Sequence, residues 1–219
     1  MSTLPFWQHF APDEDLSAPY TDRFRVRFGS HRLDLPLRIL PDGQSAVSSL
    51  LVNQASFPVM DALSENLAEI VRSLAPDLIV GMPTLGLGLA ATIARTCRHE
   101  RYVPLSTSRK FWYDERLSAP LSSITSPDKT KRLYLDPTLL PLLGAAKRIV
   151  IADDVVSTGV SLDAGVRVLA EAGVSPCAAL CVMTQSECWQ GKFSFPVMSC
   201  FSSPLFQRSQ GGWVEQDGP

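Results

Sequence analysis

A chain of 219 residues with 45% hydrophobic and 19% charged residues has the make-up of a compact globular protein rather than a disordered one. That length holds one α/β domain with an appended subdomain. The formal net charge of -2, without a long basic block, argues against nucleic-acid binding by general electrostatics, although local donors still allow small anions.

The start, MSTLPFWQHF, lacks both the basic and the apolar segment of a secretory signal. The longest apolar run, Leu78 to Ala94, is broken by Gly81, Pro83, Gly86 and Gly88, so strand-loop-helix is expected and no membrane span. Cysteines at 97, 177, 181, 188 and 200 form no C-x-x-C pair and are odd in number. Reduced thiols in a cytoplasmic protein are the expectation, ahead of a zinc site.

Residues 1–20, with Pro5, Pro12 and Pro19, read as a loosely structured lead. Phe24, Val26 and Phe28 then alternate with Arg23, Arg25 and Arg27, and Leu33, Leu35, Leu37 and Ile39 alternate again. Gly29-Ser30 between the runs predicts a two-residue hairpin turn. The arginine row is expected to be a solvated strand face. With a further strand between Ser45 and Asn53, these elements form a small cap.

A helix follows, with Pro58 near its first turn and Val59, Leu63, Leu67, Ile70, Val71 and Leu74 at helical spacing. Beyond Pro76 the pattern predicts a strand (Leu78 to Val80), a helix (about Gly86 to Cys97) and a strand (Tyr102 to Leu105). A long polar loop and a short helix (Pro137 to Leu143) lead to a strand at Ile149, and after its helix come strands at Ala178 to Met183 and near Val197 to Phe201. Such alternation predicts a parallel sheet flanked by helices on both faces, with ligands bound beyond the carboxyl ends of its strands.

Gly86-Leu87-Gly88-Leu89-Ala90-Ala91 fits the dinucleotide fingerprint G-x-G-x-x-A. The glycines begin too far beyond their strand, however, and no acid ends the next one, because Tyr102 to Leu105 runs into Ser106 and Thr107. A nicotinamide-dependent enzyme is therefore the weaker reading. Residues 111–135 show no clear periodicity and carry Ser122, Ser123, Thr125, Ser126, Pro127, Lys129, Lys131 and Arg132. So long a loop in a compact domain is usually functional or disordered.

The chain is organised around RIVIADDVVSTGVSL, Arg148 to Leu162. Ile149 to Ala152 is an apolar run suited to a strand buried on both faces. Asp153 and Asp154 stand at its end, then Val155 and Val156, then Ser157-Thr158-Gly159-Val160-Ser161 at the mouth of a helix. Unpaired first-turn amides, the helix dipole and hydroxyls make a phosphate cradle there. The two carboxylates accept vicinal hydroxyls, or hold a metal ion through water. A ribose 5-phosphate satisfies both halves.

These residues resemble the 5-phosphoribosyl 1-pyrophosphate (PRPP) signature of type I phosphoribosyltransferases, and element order extends the likeness over roughly residues 50–185. Met82, Pro83, Thr84 and Leu85 are similar in position to that family's pyrophosphate loop. Arg109 and Lys110 resemble its basic pair ahead of a mobile flap at 111–135.

The resemblance implies a core at 51–200 beneath a hood built from terminal segments, 1–50 and 201–219. It implies Mg²⁺-dependent transfer of ribose 5-phosphate from PRPP to a nitrogenous base, with Mg²⁺ held through water on Asp153 and Asp154, and a homodimer. Val155 and Ser157 to Ser161 would hold the sugar phosphate, and Arg109 and Lys110 the departing pyrophosphate.

In the 6-oxopurine branch an acid usually occupies the place of Ser157; its absence here tilts toward the adenine/orotate branch and an adenine-like purine. Phe206 and Trp213 are the candidates for stacking on the base, and Glu115 or Asp114 for a general base. Many members carry a second glycine at Val160 and a cation at Leu85, so a PRPP- or nucleotide-sensing protein without transfer activity is the alternative.

Overall fold

The computed structural model describes residues 6–121 and 131–216. The first strands form an antiparallel sheet: β1 (Arg23–Phe28) pairs with β2 (His31–Ile39) across the expected Gly29-Ser30 turn, and β2 pairs with β3 (Ser45–Ser48). After α1 (Phe57–Arg72) come β4 (Leu78–Gly81), α2 (Gly86–Thr96) and the short β5 (Val103–Pro104). Next are β6 (Ser118–Leu121), β7 (Lys131–Tyr134) and α3 (Leu140–Ala145), then β8 (Ile149–Ala152), β9 (Val155–Val156) and α4 (Val160–Glu171). The chain ends with β10 (Pro176–Gln185), β11 (Val197–Ser203), β12 (Leu205–Ser209) and β13 (Gly212–Glu215).

The core sheet is parallel, in the order β11-β10-β8-β4-β5, with β9 beside β10. Its central strands are buried on both faces because alternate side chains serve two apolar layers. Val150 and Ala152 of β8 face the layer of α1 and α2, whereas Ile149 and Ile151 face the layer that holds Leu162, Val168 and Leu169 of α4. From β4 the chain crosses through α2 to β5; from neighbouring β8 it crosses through α4 the other way, to β10. The carboxyl ends of β4 and β8 thus form a topological switch point, where α/β sheets open a crevice for ligands.

Strands from both ends of the chain build the hood, a five-stranded sheet ordered β1-β2-β3-β12-β13. It is fastened to the carboxyl edge of the core: Gln185 Nε2, at the end of β10, donates to the Ser48 carbonyl at 2.7 Å, and the Ser48 and Ser203 hydroxyls lie 2.7 Å apart and buried.

Two expectations need correction. The arginine row is a solvated face only in part, because the N-terminal lead folds back across it: Arg27 stays exposed, whereas Arg25 is covered. Arg25, whose side chain is 8% exposed, pairs with Asp34 at 2.7 Å and donates to the Pro12 and Glu14 carbonyls, while Arg27 pairs with Asp15 and Arg32 with Asp13. Over its described residues, 6–20, the lead lacks regular structure yet is fixed, with Trp7 buried and Tyr20 bridged to Trp213.

The stretch read as an unpatterned loop contains a hairpin. Ser118 to Leu121 pairs with Lys131 to Tyr134, and Ala119 and Leu133 pack into the layer of α4. Four-residue strands are too short to show an alternation against so much serine and proline. Ser122, Ser123, Thr125, Ser126, Pro127 and Lys129, named for the flap, lie outside the described residues.

Candidate active site at the sheet switch point

The backbone of the acid pair is clamped between neighbouring strands. Asp153 N donates to the Leu180 carbonyl of β10 at 2.9 Å, Val182 N donates to the Asp154 carbonyl at 2.9 Å, and on the other side Met82 N donates to the Ala152 carbonyl at 2.9 Å. Asp153 is 7% exposed, and its Oδ1 accepts the Asp154 amide at 2.9 Å. Burial raises its carboxyl well above the ordinary carboxylate range, and the neighbouring Asp154 charge adds to the rise. Burial also raises Asp154. Two close carboxyls in a low-dielectric edge resist ionising together, and a ligand that brings hydroxyl donors or positive charge relieves that repulsion.

Directly beyond, Val155 to Leu162 line a concavity of about 30 Å³. Gly159 caps α4 with φ +79°, a left-handed conformation that L side chains seldom adopt, and it turns the chain so that the free amides of the first turn face the hollow. Ser157 and Thr158 are half-buried and Ser161 is exposed. Lys192, from the β10–β11 connection, reaches this segment and donates from Nζ to the Thr158 carbonyl at 2.9 Å.

The third part is the loop after β4. Met82 is buried, its side chain packed against Gly165 of α4, and Leu85 packs on the layer of α1 and α2. Neither side chain therefore faces the crevice, whereas Thr84 is exposed; the Pro83–Thr84 peptide is cis. Leu105 N donates to the Gly81 carbonyl at 3.0 Å, so Ser106 to Lys110 leaves the sheet from the same carboxyl edge. There Arg109 is half-exposed and pairs with Glu115 at 2.8 Å. The fold thus gathers the acid pair, the cradle and the 82–85 loop at the switch point, with the basic pair in the segment that follows the neighbouring strand β5.

The sequence profile of the phosphoribosyl transferase domain matches residues 47–212, most of the chain. The chain belongs to the phosphoribosyltransferase family. Solved adenine phosphoribosyltransferases share its fold. The one from Giardia lamblia, complexed with 9-deazaadenine, is 18% identical with a TM-score of 0.58, over 76% of this chain and 93% of that one. The Saccharomyces cerevisiae enzyme is 16% identical with a TM-score of 0.57 over the same shares. The Trypanosoma brucei enzyme is 15% identical with a TM-score of 0.56, over 83% of this chain and 75% of that one. No curated protein matches the sequence.

In this phosphoribosyltransferase the aromatic residues expected to stack on a base do not face the crevice. Phe206 has no exposed surface and packs edge-on against Phe24 and Tyr20, with centroids 5.1 and 5.9 Å away. Trp213 is 5% exposed, lies in the same hood cluster, and carries the Arg208 guanidinium over its ring. Both are core residues of the hood, because β12 and β13 turn one face inward. The candidate general bases are engaged as well, Glu115 by Arg109 and Asp114 by Arg116 at 2.7 Å. The Arg116 side chain and amide hold the Asp114 carboxyl below the ordinary range, which makes it a poor proton acceptor.

Two residues in contact with the candidate site escape a reading of motifs alone. Lys192 meets the cradle across 34 positions of sequence, and nothing in a short Gly-Lys turn announces that. Gly86 was legible only as part of a dinucleotide pattern. Its structural reason is different: a β-carbon there would stand 2.8 Å from Asp153 Cα, while at Gly88 it would meet nothing.

Proposed function

We propose that this phosphoribosyltransferase transfers ribose 5-phosphate from PRPP to a purine-type, adenine-like base and releases pyrophosphate. The observation that carries the reading is the run from Asp153 to Leu162, an acid pair of which Asp153 is buried and Asp154 half-buried, followed without a break by a hollow of about 30 Å³ at the mouth of α4. Asp153 and Asp154 accept the ribose hydroxyls. The amides and hydroxyls of Ser157 to Ser161 hold the 5-phosphate, and Val155 lines the sugar's approach. The Thr84 and Leu85 amides, the Thr84 hydroxyl, and Arg109 and Lys110 take the pyrophosphate, since Met82 N–H is held by the Ala152 carbonyl and Pro83 has none. As the bond from C1 to the pyrophosphate oxygen breaks and the bond to the base nitrogen forms, positive charge grows on the sugar. The acid pair faces that charge, positioning supplies a large share of the rate, and the base gives up one proton.

The donor set suits Mg²⁺ held mainly by others. Among the described residues no three His, Cys, Asp or Glu side chains converge as a cage. Two neighbouring carboxylates remain, as a hard cation needs when water and substrate oxygens fill its other positions. When bound, Mg²⁺ neutralises charge on the pyrophosphate. A homodimer in the cytoplasm completes the proposal; no described helix is long and apolar enough to cross a membrane, and the five cysteines are free thiols.

The test is incubation with PRPP, Mg²⁺ and a panel of bases while pyrophosphate release is followed. Turnover with adenine or a close analogue, lost in Asp153→Asn, is expected. PRPP binding without turnover of any base would replace the enzyme by a sensor.

A further inference from the structure

The segment 157–161, Ser-Thr-Gly-Val-Ser, contains no cationic side chain, yet the ligand proposed for it is a phosphomonoester dianion. A cation reaches it from elsewhere. After β10 the chain does not cross to β11 through a helix but through residues 186–196, which fold tightly beneath the cradle. Trp189 Nε1 donates to the Ser186 carbonyl at 3.1 Å, Gly191 turns the chain with φ +72°, and Lys192 N donates to the Trp189 carbonyl at 3.3 Å.

Two aromatic residues then press the turn against the loop. Phe193 packs so close to Gly159 that a β-carbon there would lie 3.2 Å from its ring, and Phe193 and Phe195 stack with centroids 5.4 Å apart. Lys192 is thereby anchored on both flanks of its own backbone, with its ammonium 2.9 Å from the Thr158 carbonyl.

That hydrogen-bond partner is informative. A carbonyl uses one of the three ammonium donors and neutralises none of the charge. The remaining donors and the full positive charge stay beside the 157–161 loop, 2.9 Å from the Thr158 carbonyl. An anion seated there gains a charge-assisted hydrogen bond in addition to the amides, from a group already positioned before it arrives.

We propose that Lys192 is a phosphate-binding residue of this enzyme, closing the cradle from the β10–β11 side and recognising the 5-phosphate of the sugar. The assignment rests on the phosphoribosyl-transfer reading above and adds to it a contact from a segment outside the signature.

The experiment is calorimetric titration of ribose 5-phosphate into the intact wild-type protein, Lys192→Met and Lys192→Arg, each at low and high salt, beside pyrophosphate-release assays with PRPP. Wild type should bind ribose 5-phosphate, Lys192→Met should bind it about tenfold more weakly, and its affinity should fall less steeply with salt. Lys192→Arg should recover most of the loss, which a merely structural pin on Thr158 would not require.

Equal affinity and salt dependence in wild type and Lys192→Met overturn the lysine assignment. So does an arginine variant as weak as the methionine one, since charge is then not the cause. In both cases turnover of PRPP by the wild type leaves the transferase reading standing. Failure of the wild type to bind ribose 5-phosphate overturns the lysine assignment, and failure in addition to turn over PRPP with any base removes the transferase reading as well.

Discussion

Gly86 and Asp153 touch with no room for a β-carbon between them: one built on Gly86 would stand 2.8 Å from Asp153 Cα and 3.0 Å from both the Ala152 carbonyl oxygen and Asp153 Oδ1. The first residue of the helix after the 82–85 loop is therefore a spacer for the acid that ends the neighbouring strand. Because the obstruction is chiefly backbone of β8, which cannot swing aside as a flexible side chain can, Gly86→Ala must push α2 off the sheet. A loss of about 1 to 3 kcal/mol in unfolding free energy is expected. PRPP affinity should fall with it, since both parts of the site move. Denaturant melts and PRPP titration measure the two effects; a variant unchanged in both would show the contact to be slack.

Asp153 should trade stability for function. The unfolded chain releases this proton near the ordinary aspartate value of about 3.9. In the fold, burial and then the Asp154 charge hold the proton to higher pH. Between those limits the native state binds more protons than the unfolded one, so stability falls as pH rises through the window. Asp153→Asn removes the penalty. At neutral pH the variant should melt above wild type, and the gap should close as pH drops below about 4. Its affinity for PRPP should fall about 10- to 100-fold, as expected when a charged acceptor of a hydroxyl is lost. Melting curves against pH with parallel titrations read both halves, and a variant less stable than wild type at pH 7 would contradict the electrostatic account.

Asp77 carries the opposite sign. Its carboxylate accepts the Lys147 and Arg148 amides at 2.8 and 2.9 Å, tying the turn before β4 to the turn before β8. Burial pushes the carboxyl up, but those donors prevail and hold it below its ordinary value. The stability it contributes is present above the unfolded value of about 3.9 and is lost as pH falls through the lower folded one. Asp77→Ala should cost about 1 kcal/mol at pH 7, and less by pH 3, in denaturant melts. A gap that stays constant with pH would assign the effect to packing.

What the sequence disclosed follows from how local each cause is. The parallel sheet, α1, α2, α4 and the β1–β2 hairpin were legible because apolar spacing and turn residues encode them within a few positions. The acid pair and the cradle were legible because both lie in one unbroken run, Asp153 to Leu162. What was not legible depends on contacts across the chain. Nothing near Arg25 says that Asp34 and the lead would cover it, and nothing near Lys192 says that Thr158 lies within reach. The β6–β7 hairpin was hidden by its brevity. Leu85 shows a subtler limit: a departure from the family's usual cation in fact turns its side chain into the α1/α2 layer and away from the crevice.

Phe206 gives the sharpest separation between fold and function. A ring in an irregular C-terminal segment suits either a lid over a core or a platform for a flat base, and composition alone does not choose. Its complete burial, with Tyr20 and Phe24 edge-on against it, chooses the first. Phe206→Leu should therefore lower the unfolding free energy by about 1 to 2 kcal/mol, from lost ring contacts and imperfect refilling of the site. The KM for the base, measured where both proteins are fully folded, should stay within about twofold, a change of about 0.4 kcal/mol in binding, since a ring outside the crevice makes no contact with the base. Steady-state kinetics with varied base, set beside denaturant melts, separate the two roles. A tenfold rise in that KM at unchanged stability would return the ring to the base site, and would mean that the hood opens far enough in turnover to uncover β12.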